Sequence, residues 1–245
     1  MSKFELFGIP ITVGEREALL LRARALLGRG GYIVTVNPLM LMRARRDGEF
    51  REILKGADLV LPDGVGVKLA LALLGVKTDV LPGVELAEAL IREGAWRVAL
   101  YGAKPGVARR AADTLLSKNP NLTFSMILDG YTYSEREALD MLSHDPPDLL
   151  YVCLGAGRQE RAAASFCKRH PSTLAIGLGG SFDVIGGNIR RAPPIIQRLR
   201  LEWLYRMVRE PRRLSGLPSL ALFLWLSLLR SVGFSRKSKR RDEKK

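Results

Sequence analysis

Two polar residues with clear chemical uses follow short apolar runs early in the chain. Asp63 comes after Leu59–Leu61, and Asn37 comes after Tyr32–Val36. A carboxylate within hydrogen-bond reach of a hydroxyl can act as a general base, and a carboxamide can bind the hydroxyl groups of a sugar. Both residue types also favour turns and helix N-caps, so a structural role stays open for each.

Glycine-rich loops form a second group of candidates. In Gly102–Gly106, backbone N–H groups could approach a phosphate, although a tight strand-to-helix turn would have the same composition. In Gly155–Glu160, Gln159 could bind sugar hydroxyls or simply favour the first helical turn. Neither loop matches the dinucleotide-binding pattern Gly-x-Gly-x-x-Gly or the Gly-Lys-Ser/Thr of a P-loop. A nucleotide-binding oxidoreductase is therefore disfavoured.

The sequence also lacks the usual metal-binding patterns. No Asp-x-Asp motif occurs, and the two histidines do not belong to a cluster with metal-ligand spacing. The two cysteines, Cys153 and Cys167, cannot build a disulfide framework, and we expect buried thiols. We expect no metal and no other cofactor. A diphosphate leaving group would then have to be stabilised by arginines and helix N-termini.

Repeated strand–turn–helix units must position these residues. The predicted strands are almost wholly apolar, which is typical of a parallel sheet covered on both faces. We predict an α/β, Rossmann-like fold for residues 1–189, with a mainly parallel sheet and helices on both faces, preceded by one short strand over Phe4–Ile11. Ligands of such sheets bind at the carboxyl ends of the strands. Six residues should therefore share one rim: Asn37, Asp63, Gly102, Gly130, Gly155 and Gly180.

Positive charge is concentrated at the C-terminus of the chain. Residues 190–245 hold 16 of the 39 Lys/Arg and 4 of the 25 Asp/Glu. The apolar block Leu217–Leu229, interrupted by Pro218 and Arg230, is too short for a confident membrane span. With basic flanks it is typical of an interfacial element attracted to anionic lipids, although a terminal helix docked on the core is the alternative. We predict residues 190–245 to be a helical, basic, membrane-associating appendage.

Composition also bounds the partners and the location. A nucleic-acid partner is not expected, because the apolar block would have no purpose there. The N-terminus, Met1–Pro10, lacks the apolar block of a signal peptide. We expect a cytoplasmic protein that is peripheral on the inner face of the plasma membrane. The sequence leaves the oligomeric state open, including a homo-oligomer.

Several stretches together resemble the WecG/TagA/CpsF family of glycosyltransferases. They keep order and spacing from about residue 8 to residue 213, and they are Thr35–Pro38, Ala57–Gly64, Tyr101–Val107, Asp129–Tyr131, Leu154–Glu160, Gly177–Val184, Arg190–Pro193 and Leu201–Arg206. The resemblance implies an inverting, metal-independent transfer of a hexosamine, such as N-acetylmannosamine, from a UDP-sugar. The implied acceptor is a polyprenyl diphosphate-linked sugar in cell-surface polysaccharide synthesis, for example of teichoic acid. A non-catalytic, membrane-peripheral protein that binds a nucleotide sugar or a lipid carrier is the alternative.

The resemblance also assigns roles to residues. The proposed base falls on Asp63, and a uridine contact falls on Asp183. Polar residues of the sugar pocket fall on Thr35, Asn37 and Gln159. Arginines that reach over the active site fall on Arg206, Arg209, Arg212 and Arg213. Further substrate-binding candidates are Gly102, Gly130, Tyr131, Gly155 and Gly180.

One departure from the family pattern concerns a single turn. Family members often carry an arginine just before a Val/Ile-Thr/Pro-Gly turn. In this chain the turn is Val80-Leu-Pro-Gly83, and the arginine is missing. The role of that arginine would pass to another residue, such as Lys77 or Lys104.

Overall fold

The computed structural model describes residues 2–92, 94–189 and 215–242, with side chains described as far as residue 232 in the last range. Eight strands and ten helices lie in these residues. The strands are β1 (Lys3–Leu6), β2 (Ile9–Thr12), β3 (Gly31–Val36), β4 (Leu59–Pro62), β5 (Arg97–Gly102), β6 (Thr123–Leu128), β7 (Leu149–Cys153) and β8 (Leu174–Gly177). The helices are α1 (Arg16–Arg24), α2 (Pro38–Ala44), α3 (Gly48–Lys55), α4 (Gly64–Leu73), α5 (Gly83–Leu90), α6 (Val107–Lys118), α7 (Glu135–His144), α8 (Arg158–Arg169), α9 (Ser181–Ile185) and α10 (Leu217–Asp242).

Six of the strands form one parallel sheet in the order β4-β3-β8-β7-β5-β6. Five of its strands are buried along most of their length, as expected for a parallel sheet with helices on both faces, and the edge strand β6 is mostly half-buried. The predicted α/β, Rossmann-like architecture is therefore confirmed. All carboxyl ends lie at the same edge of the sheet because every pairing is parallel.

Successive strand residues point to opposite faces and so build two sides of the core. On one face, Ile33, Leu61 and their equivalents pack against α1, α5, α6 and α9. On the other face, Val34 and Val36 pack against α2, α3, α4 and α10, and the far half of that face packs against α7 and α8. Helices α2 and α9, which follow the neighbouring strands β3 and β8, thus lie on opposite faces.

The prediction of one strand over Phe4–Ile11 is wrong. This segment is the antiparallel hairpin β1–β2, with Leu6 paired to Ile9. The chain reverses at Phe7 and Gly8, whose φ angles are 53° and 83°. Two residues with positive φ are what a tight two-residue hairpin turn requires, but a phenylalanine gives no sequence signal for that conformation.

The predicted C-terminal helix is present as α10, which is continuous through Pro218 and Arg230. Proline is tolerated in the first turn of a helix because its missing N–H has no partner there. Phe223 and Ser227 of α10 are fully buried, and the helix packs against α2 and α4. No helix among the described residues has the length and apolarity needed to span a bilayer. The boundary at residue 190 stays a prediction, because residues 190–214 lie outside the described ones.

Candidate active site

The rim at the carboxyl ends of β4, β3 and β8 carries the densest set of predicted site residues. Strands β3 and β8 are neighbours, but the helices that follow them pass to opposite faces of the sheet. In a parallel sheet, such a divergence marks the place at the strand ends where a ligand-binding crevice is expected. Residues from α4, α5 and α9 meet at the same rim.

Asp63 lies directly after β4, half-buried, with its backbone N–H bonded to the Val36 carbonyl at 2.9 Å. It occupies the N-cap position of α4, but its carboxylate forms no capping hydrogen bond. Asp47 is an instructive contrast, because its carboxylate caps α3 by accepting the Phe50 N–H at 2.9 Å. Asp63 therefore occupies the N-cap position that its residue type favours, but its carboxylate does not cap the helix.

Asn37 lies at the end of the adjacent strand and caps α2. Its Oδ1 accepts the Met40 N–H at 3.1 Å, so the structural interpretation of this residue is confirmed. The two strand ends are close because Val36 is in register with Pro62. The first turns of α2 and α4 also touch, since a Cβ on Gly66 would lie 2.6 Å from Pro38 Cγ.

Gly83, Thr35 and Ser181 pack together where β3, α5 and α9 meet. A Cβ built on Gly83 would lie 3.5 Å from both Thr35 Oγ1 and Ser181 Oγ. Thr35 and Ser181 are both buried, and the Ser181 hydroxyl donates to the Leu178 carbonyl. Of these three residues, only Thr35 was predicted from the sequence as a site residue. The turn of Val80–Gly83, singled out for its missing arginine, was the available signal for Gly83.

Gln159 holds the turn between β8 and α9. Its Oε1 accepts the Gly179 N–H at 2.9 Å, and its Nε2 donates to Glu160 Oε1 at 2.6 Å. The residue is 3% exposed, so both ends of its amide are engaged inside the protein. In this arrangement Gln159 shapes the rim through Gly179, and its sugar contact stays a prediction.

Glu160, which sequence analysis did not single out, supports this arrangement. Its side chain is fully buried, and Oε2 accepts the Gly157 N–H at 2.5 Å. Burial raises the pKa of this carboxyl, although the hydrogen bonds from Gly157 and Gln159 act in the opposite direction. The result is a buried chain of polar groups that runs from the start of α8 to the turn after β8.

Arg43 joins α2 to the loop after β7. Its Nη1 donates to the Ala156 carbonyl at 2.8 Å, and its Nε lies 3.3 Å from Asp47 Oδ2. A Cβ on Gly157 would collide with the Arg43 guanidinium at 2.2 Å. No sequence feature predicted this contact, because Arg43 lies in an arginine-rich stretch typical of a solvated helix face.

The predicted glycines after β5, β6 and β7 lie on the same rim but away from Asp63. Strand β5 is four strand positions from β4, which corresponds to about 19 Å along the sheet. Gly102 has a φ of 124°, and a Cβ there would lie 2.3 Å from the Cys153 carbonyl oxygen. A Cβ on Gly130 would meet Leu154 at 2.8 Å. Close backbone packing therefore accounts for Gly102, Gly130 packs against a side chain, and Gly155 faces open space.

The remaining candidates are spread around the rim. The Tyr131 ring is 72% exposed beyond β6, and Gly180 is the N-cap of α9. Asp183 is half-buried in α9, with Asn188 Nδ2 at 3.5 Å from its Oδ1, and Arg110 donates in turn to Asn188 Oδ1. The four predicted arginines lie outside the described residues: Arg206, Arg209, Arg212 and Arg213. Within the part of the chain that is described, no three His, Cys, Asp or Glu residues lie together as metal ligands.

Comparisons with known proteins identify the family of the chain. Residues 4–238 match the model of the family described as "Glycosyl transferase WecG/TagA/CpsF family". A protein of Bacillus spizizenii named N-acetylglucosaminyldiphosphoundecaprenol N-acetyl-beta-D-mannosaminyltransferase is 34% identical over 189 residues, 76% of this chain and 74% of its own. A protein of Bacillus subtilis with the same name is 32% identical over 200 residues, 79% of this chain and 78% of its own.

Proposed function

Because the chain belongs to the WecG/TagA/CpsF family of glycosyltransferases, we propose that it moves N-acetylmannosamine or a related hexosamine from a UDP-sugar to a polyprenyl diphosphate-linked sugar. The two similar Bacillus proteins are named for transfer of N-acetylmannosamine to N-acetylglucosaminyldiphosphoundecaprenol. Their names support the hexosamine and the lipid-linked acceptor.

In the proposed reaction Asp63 is the general base. The acceptor hydroxyl oxygen attacks the anomeric carbon from the face opposite UDP, so the configuration inverts. As the new carbon–oxygen bond forms, the acceptor proton passes to the Asp63 carboxylate. The bond to UDP breaks, and its electron pair leaves with the terminal phosphate oxygen of UDP. The observation that supports this proposal is that Asp63 directly follows the carboxyl end of β4 and does not cap its helix.

The other rim residues would bind and orient the substrates. Thr35 and Asn37 would supply a hydroxyl and an amide nitrogen at the carboxyl end of β3, and Gln159 would act by holding the Gly179 turn. We propose that the diphosphate is held by helix N-termini and by the C-terminal arginines, without a metal ion. Chelation with EDTA tests this last point, because turnover should then be unchanged.

The Asp63→Asn variant tests the base directly. Turnover, followed as UDP release with UDP-N-acetylmannosamine and a short polyprenyl diphosphate-N-acetylglucosamine, should fall by at least about 10²–10⁴-fold. The matched control is Asp47→Asn, since Asn also caps helices well and Asp47 follows the end of α2 that is farther from the rim. Near-normal turnover in Asp63→Asn would exclude the proposed role. No UDP release by the wild type with any of several UDP-sugars would favour a non-catalytic binding protein.

We also propose that the protein is peripheral on the inner face of the plasma membrane and attaches through its C-terminal region. One side of α10 is docked by Phe223, whereas an apolar stripe on the other side is exposed. The stripe consists of Leu217, Trp225, Leu228, Leu229 and Val232. Trp225 is 59% exposed, which is unusual for a tryptophan packed in a core. Such a stripe on a basic helix suits the boundary between lipid headgroups and acyl chains.

A further inference from the structure

A groove of about 590 Å³ lies where the β1–β2 hairpin meets α10 and the end of α2. It is away from the proposed active site, because α2 begins at the rim with Asn37 and the groove lies beyond the last turn of α2. Three guanidinium groups and three apolar side chains line most of it: Arg45, Arg51, Arg230, Phe7, Leu226 and Leu229.

The three arginines are held in place by the fold. Arg51 Nε donates to the Ala44 carbonyl at 2.8 Å, and its Nη2 donates to the Arg45 carbonyl at 3.1 Å, so it satisfies the end of α2. The guanidinium groups of Arg45 and Arg230 lie 5.7 and 5.8 Å from the centre of the Phe7 ring. Both distances allow cation–π attraction. The Phe7 ring in turn packs edge-on against Phe223 at 5.5 Å.

Their positive charge has no protein counterion within the described residues. Neither Arg45 nor Arg51 nor Arg230 forms an ion pair there, whereas seven of the fourteen other arginines with described side chains do. Three like charges around one groove repel each other unless an anion lies between them. Guanidinium groups match the oxygen geometry of phosphate particularly well, and Arg51 still has three unused N–H donors.

We propose that this groove binds the phosphate group of an anionic membrane phospholipid, with the start of an acyl chain on Phe7 and Leu229. The apolar floor favours a lipid over free phosphate, because free phosphate would leave Phe7, Leu226 and Leu229 in contact with water. Leu229 also belongs to the exposed stripe of α10, so the groove opens onto the proposed membrane-facing surface. The inference rests on the proposed membrane attachment and adds a defined headgroup site to it.

Vesicle binding by the full chain tests the site. The probe is phosphatidylcholine vesicles carrying phosphatidylglycerol, and the test variant is Arg45→Gln/Arg230→Gln. Arg51 is left intact because it holds the end of α2. The matched control is Arg22→Gln/Arg136→Gln, which removes the same charge from exposed positions of α1 and α7. Thermal melting of both variants checks that they fold.

We expect the Arg45→Gln/Arg230→Gln variant to bind these vesicles about 30-fold more weakly, from about fivefold for each arginine at an anionic surface. The control variant should lose less than about threefold in vesicle affinity, because exposed charges that lie more than a Debye length from the membrane surface are screened. Equal losses of vesicle affinity in the two variants would contradict a defined headgroup site and would indicate diffuse electrostatic attraction. Release of the wild type from vesicles by excess inorganic phosphate, at constant ionic strength, would also overturn the lipid assignment.

A second measurement separates this inference from the proposed catalytic function. With a short, water-soluble acceptor, the Arg45→Gln/Arg230→Gln variant should turn over as fast as the wild type, since the groove is remote from Asp63. Loss of vesicle binding with normal turnover supports the site. Loss of turnover with the soluble acceptor in this variant would contradict a role confined to lipid binding. Failure of the Asp63→Asn prediction would leave the vesicle result unaffected.

Discussion

Two glutamates at the third position of their helices give a matched pair for testing what burial does at the site. Glu160 in α8 and Glu137 in α7 each accept the backbone N–H of the N-cap residue, Gly157 and Ser134 respectively. The difference is the environment, because Glu160 is fully buried and Glu137 is exposed. Replacing each by glutamine keeps the shape and removes one acceptor oxygen.

The Glu160→Gln variant should be markedly destabilised. The Glu160 carboxylate serves two donors, Gly157 N–H and Gln159 Nε2, and an amide can serve only one of them. An unsatisfied buried donor costs about 1–3 kcal/mol. For a chain of this size, 1 kcal/mol lowers the melting temperature by about 2–4 °C, so the shift should be about 2–12 °C. In Glu137→Gln, water can replace the lost acceptor, and the shift should be smaller.

The two variants should also differ in the sign of their pH dependence. Burial raises the pKa of Glu160, so its contribution to stability is complete below the unfolded-state pKa, about 4.3, and is lost as pH rises through the native pKa. Hydrogen bonds from the Ser134 hydroxyl and N–H lower the pKa of Glu137. Its contribution is therefore present above about pH 4.3 and is lost as pH falls through the native pKa.

Urea denaturation at several pH values between about 3 and 7, for the wild type and both variants, measures these effects. The stability difference between wild type and Glu160→Gln should shrink as pH rises above about 4.3, and the difference for Glu137→Gln should shrink as pH falls below it. The reasoning would be refuted by equal destabilisation of the two variants at neutral pH, or by pH slopes of the same sign. Turnover of Glu160→Gln should fall as well, because Gln159 loses its partner while holding the Gly179 turn.

Two further predictions concern the loops and the thiols. Gly102→Ala should prevent stable folding, because its Cβ would lie 2.3 Å from a backbone oxygen at a φ of 124°. Gly155→Ala has open space around it and should cost only about 1–2 kcal/mol of unfolding free energy. Comparable melting temperatures of the two variants would contradict this prediction. Burial raises the pKa of Cys167 to about 12 and that of Cys153 further, so a thiol reagent near pH 8 should label neither in the native protein and both in urea. Fast labelling of the native protein would show that the thiols are accessible.

The sequence predicted the parallel sheet well because all-apolar strand runs and polar strand ends have a direct physical cause. A sheet that is buried on both faces requires apolar strands, and ligand access at one edge of the sheet favours polar residues at the strand ends. The same reasoning placed Asp63 and Asn37 at the rim. It could not decide which of them would cap its helix, because capping depends on a rotamer and not on residue type.

Contacts between distant segments were beyond the sequence. Nothing in the local pattern shows that Arg43 reaches the Ala156 carbonyl or that Gln159 faces Gly179. The turn at Phe7 was missed for a different reason. A phenylalanine at positive φ is intrinsically unfavourable, and only its packing against Phe223 in α10 makes the position intelligible. These features are therefore determined by tertiary contacts, which local sequence patterns do not reveal.

The position of α10 links the proposed attachment to the proposed chemistry. Its first turn lies beside the start of α2, since a Cβ on Gly216 would touch the Leu39 side chain at 3.0 Å. Arg230, at the lipid groove, is fourteen residues further on, which corresponds to about 21 Å of helix. Leu39 and Leu217 are exposed at the rim end, and Trp225 and Leu229 continue the same surface toward the groove. If this surface lies on the bilayer, the rim is held at the level where the diphosphate of a lipid-linked acceptor leaves the membrane. The acceptor would then have to move only its sugar, and not its polyprenyl chain, to reach the Asp63 carboxylate.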